Sequence, residues 1–331
     1  MKTYPQHLIR LLTGIVSIAV VFCGPCFGKS MSFDNIIAFG DSLTDVGNVA
    51  GVTEQNVAPR INGYYQETHF CDNVLWVEIL AAYWGLPART PGRGNTTTLP
   101  AETSGNTWAW GGAEAASGTD QPSGVTEPIP NLLTQVQQYL VSNSPGRRTL
   151  YAIWSGADNL LVGGKFGPLA AADAVDAVKT AMKELEKAGA RNLLIFNMPK
   201  MGDTPDAQSG GRAAVAAANL YSVSFNVALR AAVRKLRSDR RFKAKIYVVD
   251  AFTELARIVG TVNRGRPYKP RFFVPGAPVS ITNVTDTGLD YFNANGTFPT
   301  NYLFWDDVHP TTQGHQIVAG LALRALSGFH N

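Results

Sequence analysis

The order of apolar runs along this chain predicts an α/β fold, a single three-layer α/β/α domain around a central parallel sheet of about five strands. Two observations carry that expectation. Short runs rich in β-branched and aromatic residues alternate with longer stretches of helical period. The strand-like runs are also continuously apolar, as strands covered on both faces must be.

The strands are expected at Asn35–Phe39, Thr149–Trp154, Asn192–Asn197 and Lys245–Asp250, with a further one just before Asn106. Helical period is clearest in Ala170–Ala188, where Ala174, Val175, Val178, Met182 and Leu185 share one face and Gly189 supplies a stop. Gly211–Arg237 reads as a long Ala-rich helix, and Thr311–Leu326 as the last one, capped by Thr311 or Thr312 after Pro310. No tandem repeat or low-complexity tract interrupts the pattern. Residues 86–105, dense in Pro and Gly, read as a surface loop. Residues 260–300 are a second excursion, rich in aromatics, which could either wall a site or simply pack under the loop.

The N-terminus has the order of a secretory signal peptide. Lys2, His7 and Arg10 precede the apolar stretch Leu11–Phe22, and small residues follow around Gly28. That stretch is short of the roughly 20 residues needed to span a bilayer. Residues 1–28 are therefore expected to be a signal peptide and residues 29–331 a single domain, secreted or periplasmic, with no transmembrane segment after processing. Of three cysteines, only Cys71 then remains, which excludes an intramolecular disulfide. With 29 Lys and Arg against 25 Asp and Glu, the net charge is mildly positive. The one basic cluster, Arg230 to Lys245, suits the solvated end of a helix, so no nucleic-acid partner is expected.

Two segments carry chemistry. Gly40-Asp41-Ser42 falls where the first strand stops, at the carboxyl edge where open α/β sheets keep their sites. Near the other end, Asp306-Asp307-Val308-His309 offers an imidazole preceded by carboxylates. A serine needs a base to take its proton, and the base needs an orienting acid. Ser42 and His309 fill two of those roles, and either Asp306 or Asp307 could fill the third. Asp41, beside the serine, suits a local turn better. The chain holds no phosphate-binding loop, dinucleotide fingerprint or metal-ligand cluster, so no cofactor and no metal are expected.

These segments resemble the GDSL esterase and lipase family, also called SGNH hydrolases. The resemblance extends through Asn106–Ala113, through Ile153-Trp154-Ser155-Gly156-Ala157-Asp158-Asn159, and through Asn197-Met198-Pro199 to Thr312–His315. It implies a flavodoxin-like fold and a serine esterase acting through an acyl-enzyme, with Ser42, Asp306 and His309 as its catalytic residues. It further implies an oxyanion hole built from the backbone of Ser42, from Gly111 (or Gly112, one residue on) and from an Asn side chain. Here the chain departs from the family, whose usual order is Gly-x-Asn-Asp. An ionised Asp158 has no proton to donate, so Asn159 is expected to turn inward, with Asp158 as the alternative. The substrate implied is a small-molecule or lipid ester, most like the lipase and phospholipase-like branch. A carbohydrate O-acetylesterase is the rival reading, with Trp76, Trp108 and Trp110 available to stack on sugars. A secreted binding protein with decayed catalysis is another, motivated by the inverted Asp158-Asn159 pair.

Overall fold

Four strands form the parallel sheet of this protein, in the order β1 (Asn35–Gly40), β4 (Thr149–Trp154), β5 (Asn192–Phe196) and β6 (Lys245–Val249). The computed structural model describes residues 33–53, 69–92, 104–122, 125 and 127–328. The signal-like segment 1–28 and much of the loop 86–105 lie outside them. Alternate residues of each strand enter different layers, as the two-residue period of a strand requires. Leu150, Ala152 and Trp154 pack on one face of the sheet, and Tyr151 and Ile153 on the other. Both faces are covered, which is why the strands read as unbroken apolar runs.

Tyr151 and Ile153 meet α3 (Leu132–Ser142), α5 (Gly167–Ala188) and α7 (Gly211–Ser238). The α5 stripe runs through Ala174, Val175, Val178, Ala181, Met182 and Leu185, all buried, and the helix stops at Gly189. The opposite face is covered by α2 (Trp76–Tyr83), α8 (Ala251–Val262) and α10 (Thr312–Ser327). Thr311 caps α10 by accepting from the Gly314 N–H at 3.4 Å, while the Thr312 N–H goes to Asp72 Oδ1 at 2.6 Å. The smaller elements are α1 (Asn48–Thr53), a short antiparallel pair β2 (Thr119–Asp120) and β3 (Ile129–Pro130), and helices α4 (Ala157–Leu161), α6 (Pro205–Ser209) and α9 (Gly288–Asn295). The basic cluster lies at the end of α7 and in the turn that follows it.

The fifth strand is expected just before Asn106, where residues 93–103 lie outside the described ones; the segment that follows runs beside β1. Asn106 and Trp108 exchange backbone hydrogen bonds with Ala38, and the Trp110 N–H reaches Gly40 O at 3.0 Å. Thr107 forms an isolated bridge to β1, parallel to it and beside Ala38. The ladder to β1 is interrupted at the Gly40 N–H, which donates to Gln135 Oε1 at 2.9 Å instead. Asn48 Nδ2 donates to both Thr107 O and Ala109 O, at 2.9 and 2.8 Å.

Candidate functional site

Ser42 follows β1 directly, and the sharp exit of the strand depends on Gly40. That residue has φ 141°, and a Cβ there would lie 1.8 Å from Trp154 O on β4. Only glycine tolerates both the conformation and the approach. Beyond it, Asp41 O accepts from the Thr44 N–H and Asp41 Oδ1 from the Leu43 N–H, closing the turn that presents the serine. Asp45 then anchors the neighbouring loop. Its carboxylate accepts from the N–H groups of Gly47, Asn48, Val49 and Gly111.

His309 reaches the serine from the opposite end of the chain, just before the capped start of α10. Its Nε2 lies 2.8 Å from Ser42 Oγ, and its Nδ1 lies 2.7 Å from Asp306 Oδ2. The other oxygen of Asp306 accepts from the Val308 and His309 N–H groups, which fixes the carboxylate beneath the ring. Asp307 points away, exposed, with its backbone carbonyl accepting from the Asp206 N–H. Burial works to lower the His309 pKa. The charge and hydrogen bond of Asp306 outweigh it, so the imidazole titrates above its ordinary value. Phe70 packs against the ring at 5.2 Å between centroids.

The other expected oxyanion groups are arranged differently. The Gly111 N–H donates to Asp45 Oδ2 at 2.9 Å, so its direction is fixed away from an incoming substrate. The Gly112 backbone lies near the Asp158 carboxyl and slightly favours its charged form. Asn159 is engaged at both ends of its amide. Its Oδ1 accepts from the Ala115 N–H at 2.8 Å, and its Nδ2 donates to Glu114 Oε2 at 3.0 Å. Lys165 completes that cluster with an ion pair to the same Glu114 oxygen. Asp158, rather than Asn159, lines the pocket beside Ser42 and His309.

That pocket runs from Ser42 and His309 between α8 and α10, and its deeper lining is apolar: Leu255, Ile258, Leu303, Ile317, Val318 and Leu321. Residues 260–300, the excursion considered as a wall, contribute nothing to it. The lining comes from the helices on either side because their apolar stripes converge there. Those stripes at helical spacing were the available sequence signal. Trp76, Trp108 and Trp110 are fully buried and present no ring to a sugar. Among the described residues, no group of three or more His, Cys, Asp or Glu side chains is placed to hold a metal ion. His315 is buried on α10, and burial lowers its pKa to about 3, so it stays neutral and takes no proton from the site.

A serine hydroxyl hydrogen-bonded to an imidazole at the carboxyl edge of a parallel sheet is an arrangement suited to nucleophilic acyl transfer. The chain belongs to the family of GDSL-like lipases and acylhydrolases, whose model matches residues 36–321. It is 25% identical to the phosphatidylcholine-sterol acyltransferase of Aeromonas hydrophila, over 92% of this chain and 92% of that protein. It is 22% identical to a GDSL esterase/lipase of Arabidopsis thaliana, over 94% of this chain and 96% of that one. The thermolabile hemolysin of Vibrio parahaemolyticus is 22% identical over 86% of this chain, which spans 62% of its length. Among the described residues, no helix is long and apolar enough to cross a membrane.

Proposed function

We propose that this chain is a secreted serine esterase of the lipase and phospholipase-like branch, cleaving carboxylic esters of aliphatic acyl chains through an acyl-enzyme. The observation that carries the reading is the continuous hydrogen-bonded line Ser42–His309–Asp306 at the mouth of an apolar pocket. Ser42 Oγ attacks the ester carbonyl as His309 Nε2 takes its proton. Asp306 holds the ring tautomer and balances the imidazolium. His309 then protonates the departing alcohol, and a water activated by the same imidazole releases the acid. The developing oxyanion faces the backbone N–H of Ser42.

The apolar lining favours an alkyl chain over an acetyl group, since each buried methylene adds about 0.8 kcal/mol. The Aeromonas relative, named for acyl transfer from phosphatidylcholine, points the same way. Secretion rests on the order of charge, apolar stretch and small residues in 1–28. The test is hydrolysis of p-nitrophenyl esters of increasing chain length, with phospholipids and acetylated sugars in parallel. Activity rising beyond acetate supports the reading, and activity confined to acetylated sugars would replace it by the O-acetylesterase. A protein that does not react with an organophosphonate would have no activated serine and would be the decayed binding protein.

A further inference from the structure

The pocket holds a carboxyl group with no function in the line Ser42–His309–Asp306. Asp158 is buried and lines the pocket with Ser42 and His309; its Oδ2 has no hydrogen-bond partner. The neighbouring amide that could have donated there, Asn159, is tied to Glu114 and Ala115. A buried polar atom left without a partner costs free energy unless something occupies it during function. An ionised carboxylate at that spot would repel an oxyanion, whereas a carboxylic acid would donate to it.

We propose that Asp158 acts as a carboxylic acid, its O–H donating a hydrogen bond to the ester carbonyl oxygen as charge develops there. This rests on the esterase reading above and adds a catalytic residue to it. As Ser42 Oγ bonds to the carbonyl carbon, the π pair moves onto oxygen and the hydroxyl proton goes to His309 Nε2. The oxyanion is held by the Asp158 O–H, whose proton stays on Asp158. When the intermediate collapses, the pair returns, the C–O bond to the alcohol breaks, and His309 supplies the proton that the alcohol needs. The acid is regenerated unchanged at every turn.

The surroundings keep the proton on Asp158. Burial is the largest influence and raises its pKa well above the ordinary carboxylate range. The charge of Asp41, from the serine turn, raises it further, and Glu114, from the loop after Gly112, adds a little. His309 and the Gly112 N–H act the other way and are outweighed. Tyr221, on α7, donates its hydroxyl to Gly156 O at 2.8 Å and brings no charge of its own, its pKa being raised by burial. Asp41 Oδ2 is likewise unpartnered and its pKa is pushed up to about 7, chiefly by burial, so the two carboxyls do not both ionise readily. A carboxylic acid kept neutral by an apolar site is a known way to build an oxyanion donor.

Two measurements on the full-length chain test this. In infrared difference spectra at mildly alkaline pH, the C=O stretch of a protonated carboxyl should be present in the wild type, persist in Asp158-intact Asp41→Asn, and vanish in Asp158→Asn. A wild type without that band, or a band that survives Asp158→Asn, overturns the proposal. In kinetics on one soluble ester, Asp158→Ala should lower kcat by about 10²–10³-fold with little change in KM. Asp158→Asn, which keeps a donor at the same place, should recover most of that loss. Near-normal kcat in Asp158→Ala, or no recovery in a folded Asp158→Asn, also overturns it. Ser42→Ala is the control: if it stays active, the esterase reading itself fails, whereas an inactive Ser42→Ala beside an unaffected Asp158→Ala rejects this proposal alone.

Discussion

The Asn159 amide donates to Glu114 Oε2 at 3.0 Å and so ties the start of α4 to a loop 45 residues earlier. The same bond turns the Asn159 side chain away from Ser42 and leaves its neighbour, Asp158, on the pocket.

Asn159→Ala should therefore cost stability more than catalysis. It leaves the Ala115 N–H without its acceptor and Glu114 without one of its donors, each worth about 1–3 kcal/mol when buried. Denaturant unfolding should show the loss while kcat of the folded fraction falls by less than about tenfold. A stable variant with kcat down by hundreds would return the oxyanion role to Asn159.

Asp306→Asn should impair kcat by roughly 10⁴-fold, as loss of the tautomer-fixing acid does in serine proteases. Asp307→Asn should stay close to wild type, because that carboxylate is exposed and does not meet the imidazole. The reverse ranking would reassign the acid.

The base must be neutral to take the Ser42 proton, so activity should fall as pH drops through the His309 pKa. Asp306 raises that pKa above the ordinary value of an imidazole despite burial. The acid limb of kcat/KM should accordingly be centred above the value of a free imidazole and move to lower pH in the residual activity of Asp306→Asn. A wild-type limb below the ordinary histidine range would contradict the arrangement.

Filling the pocket should change chain-length preference. Leu255→Trp puts bulk into the lining supplied by α8 and should shift the optimum toward shorter acyl chains, with acetate hydrolysis little affected. Equal losses at every chain length would place the acyl chain elsewhere.

Gly40→Ala should destabilise the protein by on the order of 3 kcal/mol, since it forces an alanine to a positive φ against the Trp154 carbonyl. Denaturant unfolding reads this directly, and an unchanged midpoint would mean that the strand end can relax.

The four strands, the helices α5, α7 and α10 and the two motif ends were legible because each is a local signal, whereas α2, α3 and α8 were not singled out. An apolar run ends at Gly40, and a carboxylate stands three residues before His309. What was not legible depends on distant partners. Whether Asp158 or Asn159 lines the pocket is decided by Glu114, and the Gly111 N–H is turned aside by Asp45, through contacts that no short window contains. Trp76, Trp108 and Trp110 read equally well as sugar platforms or as core, and only packing buries them. The segment after residue 105 stays short of a regular strand beside β1 because Gln135, another distant partner, takes the Gly40 N–H.

The two halves of the site are separated by 267 positions, and His309 comes to Ser42 on the approach to the last helix. During synthesis the serine thus emerges long before its base. A growing or prematurely terminated chain carries a hydroxyl that nothing activates and a pocket with one side missing, because α10 supplies part of its lining. Chain completion then serves as the arming step, and no separate inhibitory segment is needed to keep an unfinished molecule from attacking esters around it.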